Sequence, residues 1–276
     1  MNKSLMKAIT SFIIPVAIIM LSGILNVWLG LTALLVYVIV LLYISRALIF
    51  TMIGSRNYSL GKTEKALEWF SKAHYSNKAG VRHSVSYAYI LLKNADLVKA
   101  EEILQKLLLD YPTSQDAPYI KSILALALWK KGNLDASAAM LEEVIATYKT
   151  TSMYGSLGYL LILKGDLENA LQFNQEAHEY NTTDKIILDN LGQNYYLLGM
   201  YEKAKEIYEP LVEKAPTFPE PYYNYGLLLE KLGEPETALA MMKKALNYKF
   251  SFLSSISREE VELKIQETST SLKMVE

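Results

Sequence analysis

The sequence predicts an all-α protein: a two-span transmembrane helical hairpin, an α-solenoid of about six helix-turn-helix repeats, and a C-terminal capping helix. Three observations predict it. No residue from Ala8 to Ser45 is charged, a run of 38 positions dominated by Ile, Leu, Val and Ala. Glycine and alanine landmarks then recur at spacings of 33 to 37 residues. The chain closes on a polar stretch, SISREEVELKIQETSTSLKMVE (255–276), with a helix-start signature.

The apolar run comes first. One bilayer span needs about 20 apolar residues, so 38 positions suit two short spans better than one. The natural break is SGILNVWLG (22–30), where Asn26 fits a tight turn and Trp28 suits the headgroup level. The expected spans are residues 8–25 and 29–48, inside a membrane hairpin of residues 1–48, with residues 8–48 meeting the lipid bilayer. A cleaved signal peptide fits less well, because the run continues for two helix lengths with no clear A-x-A site. Lys3 and Lys7 precede the first span, and Arg46, Arg56 and Lys62 follow the second. Basic flanks stay on the cytoplasmic side, which predicts a multi-pass protein of the cell (inner or plasma) membrane with its N-terminus and main domain cytoplasmic.

The repeats come next. In YYNYGLLLEKLGEPETALAMMKKAL (222–246) the small residues include Gly226, Gly233, Ala238 and Ala245, and the first three serve as landmarks. Stepping back by 34 gives Gly192, Gly199 and Ala204, then Gly158, Gly165 and Ala170. Further steps give Ala125, Gly132 and Ser137, then Ala88, Ala95 and Ala100, then Gly54, Gly61 and Ala66. A fixed period over several landmarks is the signature of a repeat array. Six repeats therefore begin near residues 47, 81, 118, 151, 185 and 219 and fill residues 47–252. Within each, Tyr222, Tyr225, Gly226 and Leu229 illustrate the helical spacing of the first helix. Gly233 ends it as a left-handed cap, and Pro235 suits the first turn of the second helix. Gly226 and Ala238 let the two helices approach closely, since a bulky side chain there overpacks the contact at about 1–3 kcal/mol. Pro210 falls inside the second helix of repeat five, where an early end or a kink is expected.

Residues 253–276 form the expected capping helix and tail. Ser257 with Glu260 makes a capping box, Glu259 and Glu260 favour the helix start, and Val261 and Leu263 give a thin apolar face. The tail is expected to be disordered from about Thr268.

This pattern resembles the tetratricopeptide repeat (TPR), a 34-residue helix-turn-helix unit. Residues 154–177, 189–208 and 222–246 carry the landmarks best. Pro112 and Pro216 hold the family's end-of-repeat proline, whereas Lys149, Thr182 and Phe250 do not, and Lys121 and Asn174 replace expected apolar residues. The first repeat matches least, and its first helix reads equally as a continuation of the second span. The resemblance implies that first helices line a concave groove. The groove positions it gives include Tyr89 and Lys93 in repeat two, Tyr119, Trp129 and Lys130 in repeat three, and Tyr159 and Ile162 in repeat four. They continue with Gln193 and Tyr196 in repeat five and Tyr223, Leu227 and Lys231 in repeat six; Asp189, Glu220 and Glu230 belong to the same set. The resemblance also implies protein or peptide partners. The Lys/Asn/Arg set with which chaperone-binding relatives clamp a C-terminal carboxylate is missing, with Tyr89 and Tyr159 where its Asn belongs.

Other chemistries find little support. The chain has no Cys and only three, widely separated His, so thiolate and paired-His metal sites are not expected, and no cofactor is implied. GKT (61–63) lacks the earlier Gly of a phosphate loop, because Arg56 stands there. The first 63 residues carry five basic and no acidic residues, which leaves 23 basic against 29 acidic in the remainder. That body disfavours polyanions, so no nucleic acid is expected. Carboxylates such as those of KAEEILQK (99–106) sit beside lysines on helical outer faces. The expected function is a membrane-anchored scaffold or adaptor that presents an aromatic groove to a peptide or helix, and not an enzyme. The second reading is a structural subunit that self-associates as a homo-oligomer or joins a membrane complex.

Overall fold

The computed structural model describes residues 6, 9–76 and 80–273. Lys3, Lys7, the start of the expected first span and the last three residues of the tail lie outside them. The described residues are all-α and fall into two units, Met1–Tyr87 and Ala88–Glu276.

In the first unit a π-helical turn, Ile9–Ile13, leads into α1 (Ile14–Leu25), and α2 (Val27–Ile44) follows. Asn26 makes the break: its backbone is extended, and its side chain accepts from the Trp28 N–H at 2.8 Å. The two helices run antiparallel, because Gly23 meets Gly30 near the turn while the Tyr37 hydroxyl donates to the Ser11 carbonyl at 2.9 Å. A Cβ on Gly30 lies 2.6 Å from the Gly23 Cα, so only glycine allows this approach. By length and composition, one described helix is a candidate to cross a bilayer, Val27–Ile44; Thr10–Leu25 is apolar but shorter, so only one of the two expected short spans is supported. The second apolar helix also stops earlier than residue 48: Ser45 separates it from α3 (Arg46–Ser59). Repeat one, α3 and α4 (Thr63–His74), is thus distinct from the apolar helix. Thr51 bonds His83 at 2.9 Å, and His74 bonds Ser84 at 2.8 Å, tying repeat one to the start of α5 (Val81–Lys93).

The second unit continues from α5 with α6 (Leu97–Asp110), α7 (Ala117–Lys130), α8 (Leu134–Thr147), α9 (Thr151–Lys164) and α10 (Leu167–Tyr180). Then come α11 (Lys185–Leu197), α12 (Tyr201–Glu213), α13 (Glu220–Lys231), α14 (Pro235–Ala245) and α15 (Arg258–Lys273). Pairs α7/α8, α9/α10, α11/α12 and α13/α14 pack internally and each against the next.

The small-residue landmarks have two steric causes. The turn position has positive φ in every repeat: Gly61, Gly132, Gly165, Gly199 and Gly233 between 73° and 87°, and Ala95 at 64°. Only glycine takes that region without a Cβ penalty, so Ala95 is the strained member. The contact position instead faces the residue 16 further on in the same repeat. A Cβ on Gly54, Gly192 or Gly226 lies 3.0, 2.8 or 2.7 Å from Phe70, Tyr208 or Met242 respectively. On Gly158 it collides with the Asn174 Oδ1. Asn174, out of pattern in the sequence, is fully buried, and its Nδ2 donates to the Asn194 Oδ1 at 3.1 Å. Asn190 donates in the same layer to the Gly155 carbonyl at 2.7 Å. A polar seam therefore replaces the apolar contact between repeats four and five, bonded through the Asn174 and Asn190 amide nitrogens, while the Asn174 Oδ1 stays buried without a partner.

Two expectations are decided here. α12 continues past Pro210 to Glu213, which rules out the early end. Pro210 and Glu206 are both exposed, so the Glu206 carbonyl that proline leaves without its helical N–H lies on the solvent side of α12. The C-terminal helix also runs beyond Thr268 to Lys273. Thr268 is buried, with its hydroxyl 2.8 Å from the Glu230 Oε1, and Val261 is fully buried, while Leu263 faces outward. The capping box forms, with the Glu260 N–H donating to the Ser257 hydroxyl at 3.0 Å.

Candidate functional site

The site is the face presented by the last turn of α5 and by α7, α9, α11 and α13. Trp129 and Tyr159 meet edge to face, ring centroids 5.4 Å apart. The Lys130 ammonium lies 3.9 Å from the Trp129 ring, and the Lys93 ammonium 5.4 Å from the Tyr89 ring. Beside them sit two buried carboxylates. Asp189 accepts from the Asn224 amide at 3.1 Å, and burial pushes its pKa up to about 7. Burial also raises Glu220. Lys130 is held below the usual lysine range by loss of solvent, which the nearby Glu220 charge opposes. Burial lifts Tyr159 to about 12, against the pull of a hydrogen bond with Ser255.

That last contact exposes what the sequence did not show: this face is already occupied. The non-helical segment between α14 and α15 lies on it. The Phe252 N–H donates to the Lys93 carbonyl at 3.3 Å, the Lys130 Nζ donates to the Ser254 carbonyl at 3.1 Å, and the Ser255 N–H donates to the Glu220 Oε1 at 3.1 Å. The Phe252 ring sits 5.4 Å from the same Lys130 ammonium. α15 covers the next stretch. The Tyr223 hydroxyl donates to Glu260 at 3.3 Å, and Lys264 pairs with Glu230 at 2.7 Å. Phe250, Ile256 and Ile265 pack with Tyr196, Tyr223 and Leu227 in one apolar cluster.

Of the sequence-predicted groove residues, Lys93, Lys130, Tyr159, Tyr196, Tyr223 and Leu227 thus converge on the chain's own C-terminal segment. Trp129 and Tyr89 flank it through the two lysines. Tyr119 and Gln193 are half-buried. Ile162 is 5% exposed and belongs to the interior, which corrects its placement in the groove, and Lys231 is exposed to solvent. Tyr223, at 6% exposure, is buried rather than open, because α15 lies over it. Phe252, Ser254 and Ser255 were missed as site residues. Their signal was faint: Phe250, Phe252 and Ile256 make an aromatic and apolar linker where a solvated one would serve. Leu163, Ile186 and Leu197, on first helices, remain 42–49% exposed.

Models of the tetratricopeptide repeat match residues 124–182, 188–217 and 208–240. The chain carries tetratricopeptide repeats. A TPR protein from Parabacteroides merdae is similar in structure, at a TM-score of 0.64, 15% identity, and coverage of 82% of this chain and 85% of that one. The Cut9–Hcn1 hetero-tetramer of the APC/C gives 0.64 at 16% identity, over 81% of this chain and 43% of that chain. At such identities the likeness concerns the TPR fold alone. The BBSome complex member BBS4 of Bos taurus is 25% identical over 188 residues, 67% of this chain. The chain spans 29% of that relative's length.

Proposed function

We propose that the protein is a membrane-anchored interaction scaffold whose TPR domain binds another protein. The observation that carries the reading is the pairing, in one chain, of a helical hairpin with outward apolar side chains and a TPR solenoid. Phe12, Met20, Ile24, Trp28, Leu35 and Tyr43 all stand exposed on that hairpin; such a surface is stable in hydrocarbon rather than in water. The first arm, Thr10–Leu25, is about 24 Å long at ~1.5 Å per residue, some 6 Å short of the ~30 Å hydrocarbon core. A bilayer absorbs a mismatch of that size by thinning. Basic Arg46, Arg56 and Lys62 support a solenoid on the cytoplasmic side. TPR proteins mediate protein–protein interaction, and the BBS4 relative is itself a member of a complex. Exposed Leu163, Ile186 and Leu197 give this face a free apolar rim.

The test has two parts. Leu35→Arg, at the middle of α2, is expected to cost about 2.5–3.5 kcal/mol of insertion and to move the protein from the alkali-resistant membrane pellet to the soluble fraction. Photo-crosslinkers at Leu163, Leu197 and Lys231 are expected to give discrete protein adducts in cells, unlike one at Glu142. A wild-type protein washed off membranes by alkali sinks the anchor; adducts from Glu142 alone sink the face. Adducts only between copies of this chain favour the self-associating subunit.

A further inference from the structure

The segment Phe250–Ser257 is more than a connection to the cap, and we infer that it is a resident pseudo-ligand. Resting on the scaffold reading above, the inference is that this face takes a non-helical peptide with an aromatic anchor, and that a partner's segment of that chemistry displaces the chain's own. Three features argue for it. First, the face reads main chain. Lys93 supplies a carbonyl for the Phe252 N–H, Lys130 an ammonium for the Ser254 carbonyl, and Glu220 a carboxylate for the Ser255 N–H. A helix interior has no such groups to offer, since its N–H and C=O groups are spent internally, so the fit is to a turn or irregular strand. Second, the segment is shaped as such a ligand: a turn closes from the Ser254 N–H to the Ser251 carbonyl at 2.9 Å, and it turns Phe252 toward Lys130. Third, with the segment in place Glu220 is buried and Lys130 half-buried, and the segment's main chain supplies the hydrogen-bond partners of both. A tethered segment competes at an effective concentration in the millimolar range, so a free peptide of equal chemistry binds weakly until the resident one is released.

The experiment uses the full chain in detergent micelles and a fluorescein-labelled synthetic peptide of residues 247–258. Phe252→Ala with Ser255→Pro removes the anchor and one main-chain donor from the resident segment and touches no helix. Fluorescence anisotropy is expected to show at least ~10-fold tighter peptide binding to this variant than to wild type. Adding Lys130→Ala is expected to weaken that binding about tenfold again. Equal binding to wild type and variant, or none to a variant with wild-type circular dichroism, overturns the inference. Should the variant unfold, hydrogen exchange of wild type decides: Phe252 and Ser255 amides are expected to exchange at least ~10-fold faster than those of the α13 interior. Exchange as slow as the α13 amides overturns the inference instead. Crosslinks without peptide binding leave the scaffold standing on another ligand chemistry. Peptide binding without crosslinks removes the scaffold and leaves the pseudo-ligand.

Discussion

Replacing Gly192 by alanine tests the account of the helix contacts. The new Cβ would lie 2.8 Å from both Cε2 and Cζ of Tyr208, about 0.6 Å inside ordinary contact. Tyr208 cannot swing away cheaply. It is fully buried, its hydroxyl donates to the Asp189 carbonyl at 3.1 Å, and its ring stacks on Tyr225 at 5.9 Å. Overpacking costs about 1–3 kcal/mol, and the strained hydroxyl bond adds about 1 kcal/mol. Alanine's better helix propensity returns about 1 kcal/mol. A net loss near ~2 kcal/mol corresponds to a fall of ~4–8 °C in Tm for a domain of this size, measured by circular dichroism on the full chain in detergent. The decisive partner is Tyr208→Leu, because repeat three already carries Ala125 and Leu141 at the equivalent pair, both fully buried. In that background Gly192→Ala is expected to be neutral or stabilising, so the double-mutant cycle should show a coupling of about 2–3 kcal/mol. A Gly192→Ala variant with unchanged Tm, or one equally damaged with Leu at 208, would refute the steric reasoning.

Ala95→Gly relieves the alanine at the left-handed turn inside repeat two, φ 64°; the unfolding free energy is expected to rise by about 0.5–1 kcal/mol, and a fall shows that the turn tolerates the Cβ. Asp189 makes stability depend on pH. Burial raises its folded pKa from 3.8 to about 7, so its contribution is fully present below about pH 4 and is lost as pH rises through about 7. Asp189→Asn keeps an acceptor for Asn224 and removes the buried charge. It is expected to leave Tm unchanged near pH 4 and to raise stability at pH 8 by up to about 4 kcal/mol; an equal effect at both pH values contradicts the burial argument.

The repeat boundaries, the turn glycines and the contact glycines were legible because each obeys a local steric rule that recurs with the period. Positive φ at Gly165 or Gly233 needs no knowledge of distant residues, and the partner of Gly226 stands a fixed 16 positions away. Asn174 was legible only as an exception. Its reason, a bond to Asn194 and a layer shared with Asn190, crosses from one repeat to the next. Ile162 was misplaced for a related reason. A position shared with its counterparts sets the face of a helix, while the neighbour that covers that face differs from repeat to repeat.

The sequence by itself determined the all-α class, the uncharged hairpin broken at Asn26, and the TPR period, since helix propensity, charge and glycine sterics act within one or two turns of chain. Only the tertiary structure decided what lies on the first-helix face. Ser254 meets Lys130 across 124 positions, and Phe252 meets Lys93 across a longer stretch still. No periodic signal spans such a separation, because the match there is between main-chain groups that every residue carries, and only folding brings them into register.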